Sequence, residues 1–280
     1  MRVGNLSNRL TLFAGHGAID VEEMSGGRFG ADPQAVYDRW DEFTEWVVSS
    51  RHTADAVPYS VEDLGAPAPR PRQVFAIGAN YRAHAAEGDF PIPENPMVFT
   101  KWPSSFTGPV GQIVLPGETV DWEAELVVVI GKRARTIPAG RGWAYVAGLT
   151  AGQDVTERTV QLRDGNPQFS PSKSFPGFSP SGPWLVTLDE FVDPADLGIS
   201  CSVNGREMQK ARTSELLFSV PVLVEELSRL VTLEPGDVIF TGTPAGVGFN
   251  RKPPLYLAAG DILVTEIEGI GQMRHRFVSA

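Results

Sequence analysis

The stretch that most limits how this chain can fold is Leu126-Val127-Val128-Val129-Ile130, closed by Gly131 and preceded by Asp121-Trp122-Glu123-Ala124-Glu125. A strand apolar on both faces must be covered on both sides, so the fold needs a layer above and below it. Residues two apart on a strand share a face, which sets Glu123 and Glu125 side by side at the edge of a buried region. Two neighbouring buried carboxylates repel each other and lose hydration, unless a positive charge offsets the cost. A divalent cation is the usual offset, and oxygen-only ligands favour Mg²⁺, Mn²⁺ or Ca²⁺ over zinc. On spacing alone, an exposed strand entry with both glutamates in water explains the pattern as well.

The rest of the chain supplies the covering layers. Residues 74–77, 110–115, 143–150, 185–187, 199–203, 238–241 and 262–267 read as further strands, punctuated by Gly, Pro and Asp. Residues 10–13 and 18–21 form a hairpin around Gly15-His16-Gly17. Asp32-Pro33 starts a helix whose Val36, Trp40, Phe43 and Val47 make one apolar stripe. A second helix spans residues 220–230. With 29 glycines and 23 prolines, strands joined by tight turns are expected, in a β-rich α+β fold. The proline-rich connector Ala66-Pro67-Ala68-Pro69-Arg70-Pro71 places a boundary between a small N-terminal α+β domain, 1–70, and a larger one, 71–280.

Charge and cysteine content exclude several functions. The net charge of −10 opposes binding to phosphate backbones or anionic lipid, so neither nucleic acid nor membrane is an expected partner. The single cysteine, Cys201, rules out an intrachain disulfide and a multi-cysteine zinc site. The first residues lack the apolar core of a signal peptide, and no apolar run is long enough to span a bilayer, so a cytoplasmic location is expected.

Four other segments carry chemistry-bearing residues, each with a plainer alternative. Asp154 follows a strand and a glycine turn, where it serves as a ligand or as a cap for the next helical turn. His84 and Glu87 are three apart on a short helix, as a general base and its orienting carboxylate or as a surface pair. Lys173 offers positive charge to an anionic group or is simply solvated. Thr241-Gly242-Thr243-Pro244-Ala245-Gly246-Val247-Gly248 lacks the Gly-Lys-Ser/Thr ending of a phosphate loop; its amides bind a carboxylate or only form a tight turn.

Together these segments resemble the fumarylacetoacetate hydrolase family through most of residues 72–280. Five motifs arrive in the family's order: residues 78–87, 121–131, Gln153-Asp154-Val155-Thr156, Lys173-Ser174-Phe175, and 241–248. The resemblance implies a mixed β-sandwich roll with a small N-terminal domain, usually dimeric. It implies a Mg²⁺ or Mn²⁺ site at Glu123, Glu125 and Asp154, and a mobile lid carrying His84 and Glu87. Lys173 would complete the catalytic set, and Arg158, Gln161 and Thr243 would contact a small 2-keto acid. Such a site would hydrolyse an acylpyruvate or a related ring-cleavage product to pyruvate. Oxaloacetate decarboxylation, isomerisation of a 2-hydroxyhepta-2,4-diene-1,7-dioate type and a catalytically silent binding protein are the alternatives. Trp122 stands where many members have Tyr or Phe, the first 70 residues match loosely, and the loop 163–172 departs from the family pattern. That loop and the lid are largely polar with glycine or proline, so tolerance toward the substrate's tail is expected.

Overall fold

The computed structural model describes residues 1–15, 17–50, 56–89 and 91–280; His16 of the expected hairpin turn lies outside them. Strand Ala124–Ile130 runs between Val146–Gln153 and Val238–Phe240, antiparallel to both. All seven of its residues are buried, as a run apolar on both faces requires. Ala124, Leu126, Val128 and Ile130 enter one apolar cluster, while Val127 and Val129 enter another, so this strand separates two cores.

The large sheet grows outward from it. On one side Val238–Phe240 pairs in parallel with Val74–Gly78, which pairs with the edge strand Met97–Phe99. On the other, Val146–Gln153 is followed by Ser179–Val186, Arg2–Leu6, Arg9–Ala14 and Gly17–Asp20. A second sheet orders Arg206–Arg212, Gly198–Val203, Ile262–Ile267, Gly271–Ser279 and Val110–Leu115. Its Ile199, Cys201, Leu263, Met273 and Phe277 join the cluster of Leu126. The opposite face is covered by Tyr37, Trp40 and Phe43, packed with Val127, Val129 and Phe240. The fold is thus strand-rich α+β with mixed pairing, two sheets facing across one core.

Several local expectations shift for identifiable reasons. The helix expected at Asp32 begins later: a 3₁₀ segment, Ala35–Arg39, leads into Trp40–Ser49. Asp32 accepts the Gln34 N–H at 2.9 Å and so starts a turn instead of capping the helix. The strand expected at 143–150 is shifted to Val146–Gln153, after a 3₁₀ segment Ala139–Tyr145. That segment lies against helix Val220–Leu230 so closely that a Cβ on Gly142 would sit 2.5 Å from Pro221 Cα. Strand Gly271–Ser279, not expected, buries Met273, His275 and Phe277 and turns Arg274 and Arg276 outward, an alternation that charge obscures in the sequence.

Candidate metal centre and active site

Strand register gathers the carboxylates. Ala124 stands opposite Gln153 and Glu125 opposite Gly152, and the Asp154 N–H donates to the Glu123 carbonyl at 2.9 Å. Asp154, the first residue past its strand, therefore lands beside the Glu123 and Glu125 pair. One carboxylate oxygen from each of the three lies within 4.8 Å of the others, and all three residues are buried. The capping role open to Asp154 falls instead to Glu157, whose side chain accepts the Val160 N–H in helix Arg158–Leu162.

Three buried cations share the cluster. Lys173 Nζ donates to Glu123 Oε2 at 2.8 Å, Asp154 Oδ2 at 2.7 Å and Thr156 Oγ1 at 2.8 Å. Arg158 reaches Glu123 Oε1 at 2.7 Å, grips Asp121 Oδ2 through two nitrogens at 2.6 and 2.9 Å, and donates to Gln161 Oε1 at 2.9 Å. Lys101 Nζ, fully buried, donates to Asp154 Oδ1 and to the Lys173 and Phe178 carbonyls. Burial pushes the Lys173 ammonium down, but Asp154 and Glu123 outweigh it and hold its pKa above the usual value. For Lys101 burial wins over Asp154, and its pKa is lowered.

Among the described residues three cations thus face four buried carboxylates, and Glu125 is the one without an ion pair. There its Oε2 accepts only the Gly242 N–H, at 2.7 Å. Burial, then the charges of Asp154 and Glu123, push its pKa well above the ordinary range. Glu123 moves the other way: burial opposes ionisation, yet Lys173 and Arg158 bring it to about 2. An all-oxygen donor set with one uncompensated carboxylate fits a hard divalent cation.

The same site includes the dyad. In helix Arg82–Glu87, His84 Nδ1 lies 2.8 Å from Glu87 Oε1, and Glu87 Oε2 accepts the Gly246 N–H at 2.8 Å. Burial raises the Glu87 carboxyl, but the His84 contact and that amide hold it below the usual value. With Nδ1 committed to Glu87, His84 Nε2 has no hydrogen-bond partner among the described residues. A cavity of about 430 Å³ is bordered by His84, Glu123, Arg158, Gln161, Lys173 and Thr243. Thr243 Oγ1 donates to the Ala124 carbonyl and accepts from Gln209 Nε2, at 2.9 and 2.8 Å.

The amides of the glycine loop do bind carboxylates, but those of the protein itself: Gly242 binds Glu125, Gly246 binds Glu87, and Gly248 with the following Phe249 binds Asp121. Gly242 holds φ +102° and lies so near Asn80 that a Cβ would meet Asn80 Cβ at 2.7 Å, which excludes other residues there. Trp122 donates Nε1–H to the Gly246 carbonyl at 3.2 Å, a bond Phe would lack. Asp121 and Lys101 are the contributors that sequence reasoning passed over. Asp121 shares the period-two face of Glu123 and Glu125, a readable signal; Lys101 carried no signal beyond a lone charge among aromatic residues. The outer cavity is also less polar than expected, because Phe99, Leu162, Phe169 and Phe249 form much of it.

Residues 73–278 match the family described as Fumarylacetoacetate (FAA) hydrolase C-terminal. The chain is 44% identical over 224 residues to "Oxaloacetate tautomerase Fahd2a, mitochondrial" of Rattus norvegicus, covering 79% of this chain and 71% of that one. It superposes on the crystal structure of a putative HpcE protein from Mycobacterium smegmatis with TM-score 0.97, 51% identity and full coverage of both chains. Maleylpyruvate hydrolase from Sphingobium sp. SYK-6, solved with manganese(II) and pyruvate, gives TM-score 0.83 at 27% identity, again over both full chains.

Proposed function

The chain belongs to the fumarylacetoacetate hydrolase family, and from that premise we propose that it is a divalent-metal-dependent hydrolase cleaving a carbon–carbon bond in an acylpyruvate-type 2-keto acid and releasing pyruvate. One observation carries the reading: His84, backed by Glu87, borders the same small cavity as Glu123, Arg158 and Lys173. Glu123, Glu125 and Asp154 would hold Mg²⁺ or Mn²⁺, with Ca²⁺ of the same hard chemistry. When bound, the ion supplies Lewis acidity toward a chelating keto acid.

The chain's own residues do the rest. Arg158 and Gln161 orient the substrate head, and Thr243 borders it. His84 Nε2 accepts a proton from water, while Glu87 fixes the ring through Nδ1. The water oxygen bonds to C4, the C3–C4 bond breaks, and the tail leaves as a carboxylic acid. The electron pair passes into a pyruvate enolate beside the Lys173 ammonium, and return of the proton held on His84 Nε2 to C3 gives pyruvate. The reading includes a homodimer and a cytoplasmic location; among the described residues no helix is long and apolar enough to cross a membrane.

A second reading, keto–enol tautomerisation or isomerisation on the same site, is favoured by the name of the rat relative. Oxaloacetate decarboxylation and a silent binding protein are further outcomes of one test. Pyruvate release and enol absorbance are followed on a panel of 3-acylpyruvates and oxaloacetate, with and without Mg²⁺ or Mn²⁺. Metal-dependent pyruvate release from acylpyruvates is expected. Enol decay without pyruvate favours the tautomerase, pyruvate from oxaloacetate alone the decarboxylase, and no turnover of any substrate the binding protein.

A further inference from the structure

The cavity is divided by charge. Among its described lining residues, the ionisable groups are His84, Glu123, Arg158 and Lys173, all buried and so at its deep end. Both cations there are already paired, Arg158 with Asp121 and Glu123, and Lys173 with Glu123 and Asp154. The remaining walls are mainly apolar, chiefly Met97, Phe99, Leu162, Phe169, Val247 and Phe249.

These walls begin beside the cations. Lys173 Nζ lies 5.3 Å from the Phe99 ring centroid, and the Arg158 guanidinium carbon lies 5.6 Å from that of Phe249. Phe99 stacks on Phe169 with centroids 5.4 Å apart and planes at 26°. Their segments are tied together by the Thr100 N–H donating to Ser170 Oγ at 3.3 Å and the Trp102 N–H donating to Ser174 Oγ at 3.0 Å. Leu162 and Met97, 45% and 39% exposed, stand at the mouth.

A keto-acid head would occupy the polar end, leaving the tail among these aromatic and aliphatic groups. A carboxylate there would lose hydration with no further cation to receive it. An alkyl or aryl group would instead remove Phe99, Phe169 and Leu162 from water and stack on the rings. We propose that the substrate's tail is uncharged and apolar, of aryl or medium alkyl size, so that the protein selects 2-keto acids without a second carboxylate. The inference rests on the keto-acid reading of the head site.

The test is binding of 2-keto acids that lack a cleavable acyl group: 4-phenyl-2-oxobutanoate, 2-oxohexanoate and 2-oxoadipate, titrated calorimetrically into the Mg²⁺-supplemented protein. The phenyl and alkyl acids are expected to bind at least roughly tenfold more tightly than 2-oxoadipate. Phe169→Ala should weaken the phenyl acid far more than 2-oxobutanoate, and Leu162→Arg should strengthen 2-oxoadipate. Equal or tighter binding of 2-oxoadipate, or an unchanged phenyl preference in Phe169→Ala, overturns the proposal; failure of all these acids to bind overturns it together with the head-site reading. A clear tail preference without pyruvate release from benzoylpyruvate leaves the tail assignment standing and removes only the hydrolase. Pyruvate release with no tail preference removes only the tail assignment.

Discussion

Glu125 and Asp154 belong to one cluster, yet their removal should act in opposite directions. Asp154 is the carboxylate partner of Lys101 and one of two for Lys173. Asp154→Ala leaves a buried ammonium unpaired and is expected to cost about 3–5 kcal/mol, read by denaturant unfolding. Among the described residues Glu125 pairs with no cation, so Glu125→Gln should leave metal-free stability equal or higher while abolishing stoichiometric Mn²⁺ binding in calorimetry. Retention of Mn²⁺ by that variant would remove the metal assignment. His275 gives a separate pH signature. Its Nε2 donates to the Gly108 carbonyl at 2.9 Å and its Nδ1 is buried without a partner among the described residues. Burial lowers its pKa from 6.5 to about 4. The unfolded chain then binds the extra proton between those values, so stability is present above pH 6.5 and is lost as pH falls toward 4. The loss should be on the order of 3 kcal/mol and should flatten in His275→Gln, measured as unfolding free energy against pH.

At the scale of elements, the helix Arg82–Glu87 is too short to hold its own position and depends on what it is pinned to. Asn80, just before it, donates to the Phe218 and Thr241 carbonyls and accepts the Phe218 N–H, at 3.0, 2.7 and 2.8 Å. Glu87 fastens the helix to the glycine loop through Gly246. On the proposed chemistry, His84→Ala should lower kcat about 10²–10⁴-fold with metal affinity unchanged. Asn80→Ala should lower kcat in the same direction without removing any reacting group, because His84 loses its placement. Normal turnover of an acylpyruvate by His84→Ala would make the dyad structural. Hydrogen exchange across residues 78–89 that slows on binding pyruvate with Mg²⁺ is the expected sign of a lid.

For the whole molecule, the decisive contact is between the first 70 residues and the sheet. Arg2–Leu6 pairs with Ser179–Val186, and Tyr37, Trp40 and Phe43 pack on the face carrying Val127, Val129 and Phe240. We take the boundary at residues 66–71 as a division between a cover and a catalytic unit that fold together. Removing residues 1–70 would expose a row of large apolar side chains, each contributing about 1.5–3 kcal/mol when buried. The truncated chain should therefore collect in the insoluble fraction, and a soluble, metal-binding 71–280 fragment would contradict the cover. The edge strand Met97–Phe99 leaves Val98 exposed and outside the cavity lining, as a subunit contact would require. Sedimentation at about twice the 30.3 kDa chain mass is expected, and a monomer at micromolar concentration would contradict the dimer.

The sequence by itself determined the parts whose physics is local. The apolar run at 126–130 required cover on both faces, its period of two put Glu123 and Glu125 on one side, and helical spacing joined His84 to Glu87. Motif order then supplied the family and the strand-rich fold. What only the tertiary structure decided depends on contacts across long stretches of chain. Register across the ladder brings Asp154 to the glutamates, and burial of Lys101, 53 residues away, gives Asp154 its second cation. The glycine loop looked free to bind an anion because nothing in its own residues reveals that Glu125, Glu87 and Asp121 already hold its amides. The loop 163–172 looked polar because Gln168 and Ser170 flank Phe169, and only folding turns that ring onto Phe99. Hydrophobic period is written along the chain; the partner of each buried charge is chosen by packing, where the cost of leaving it unpaired is set.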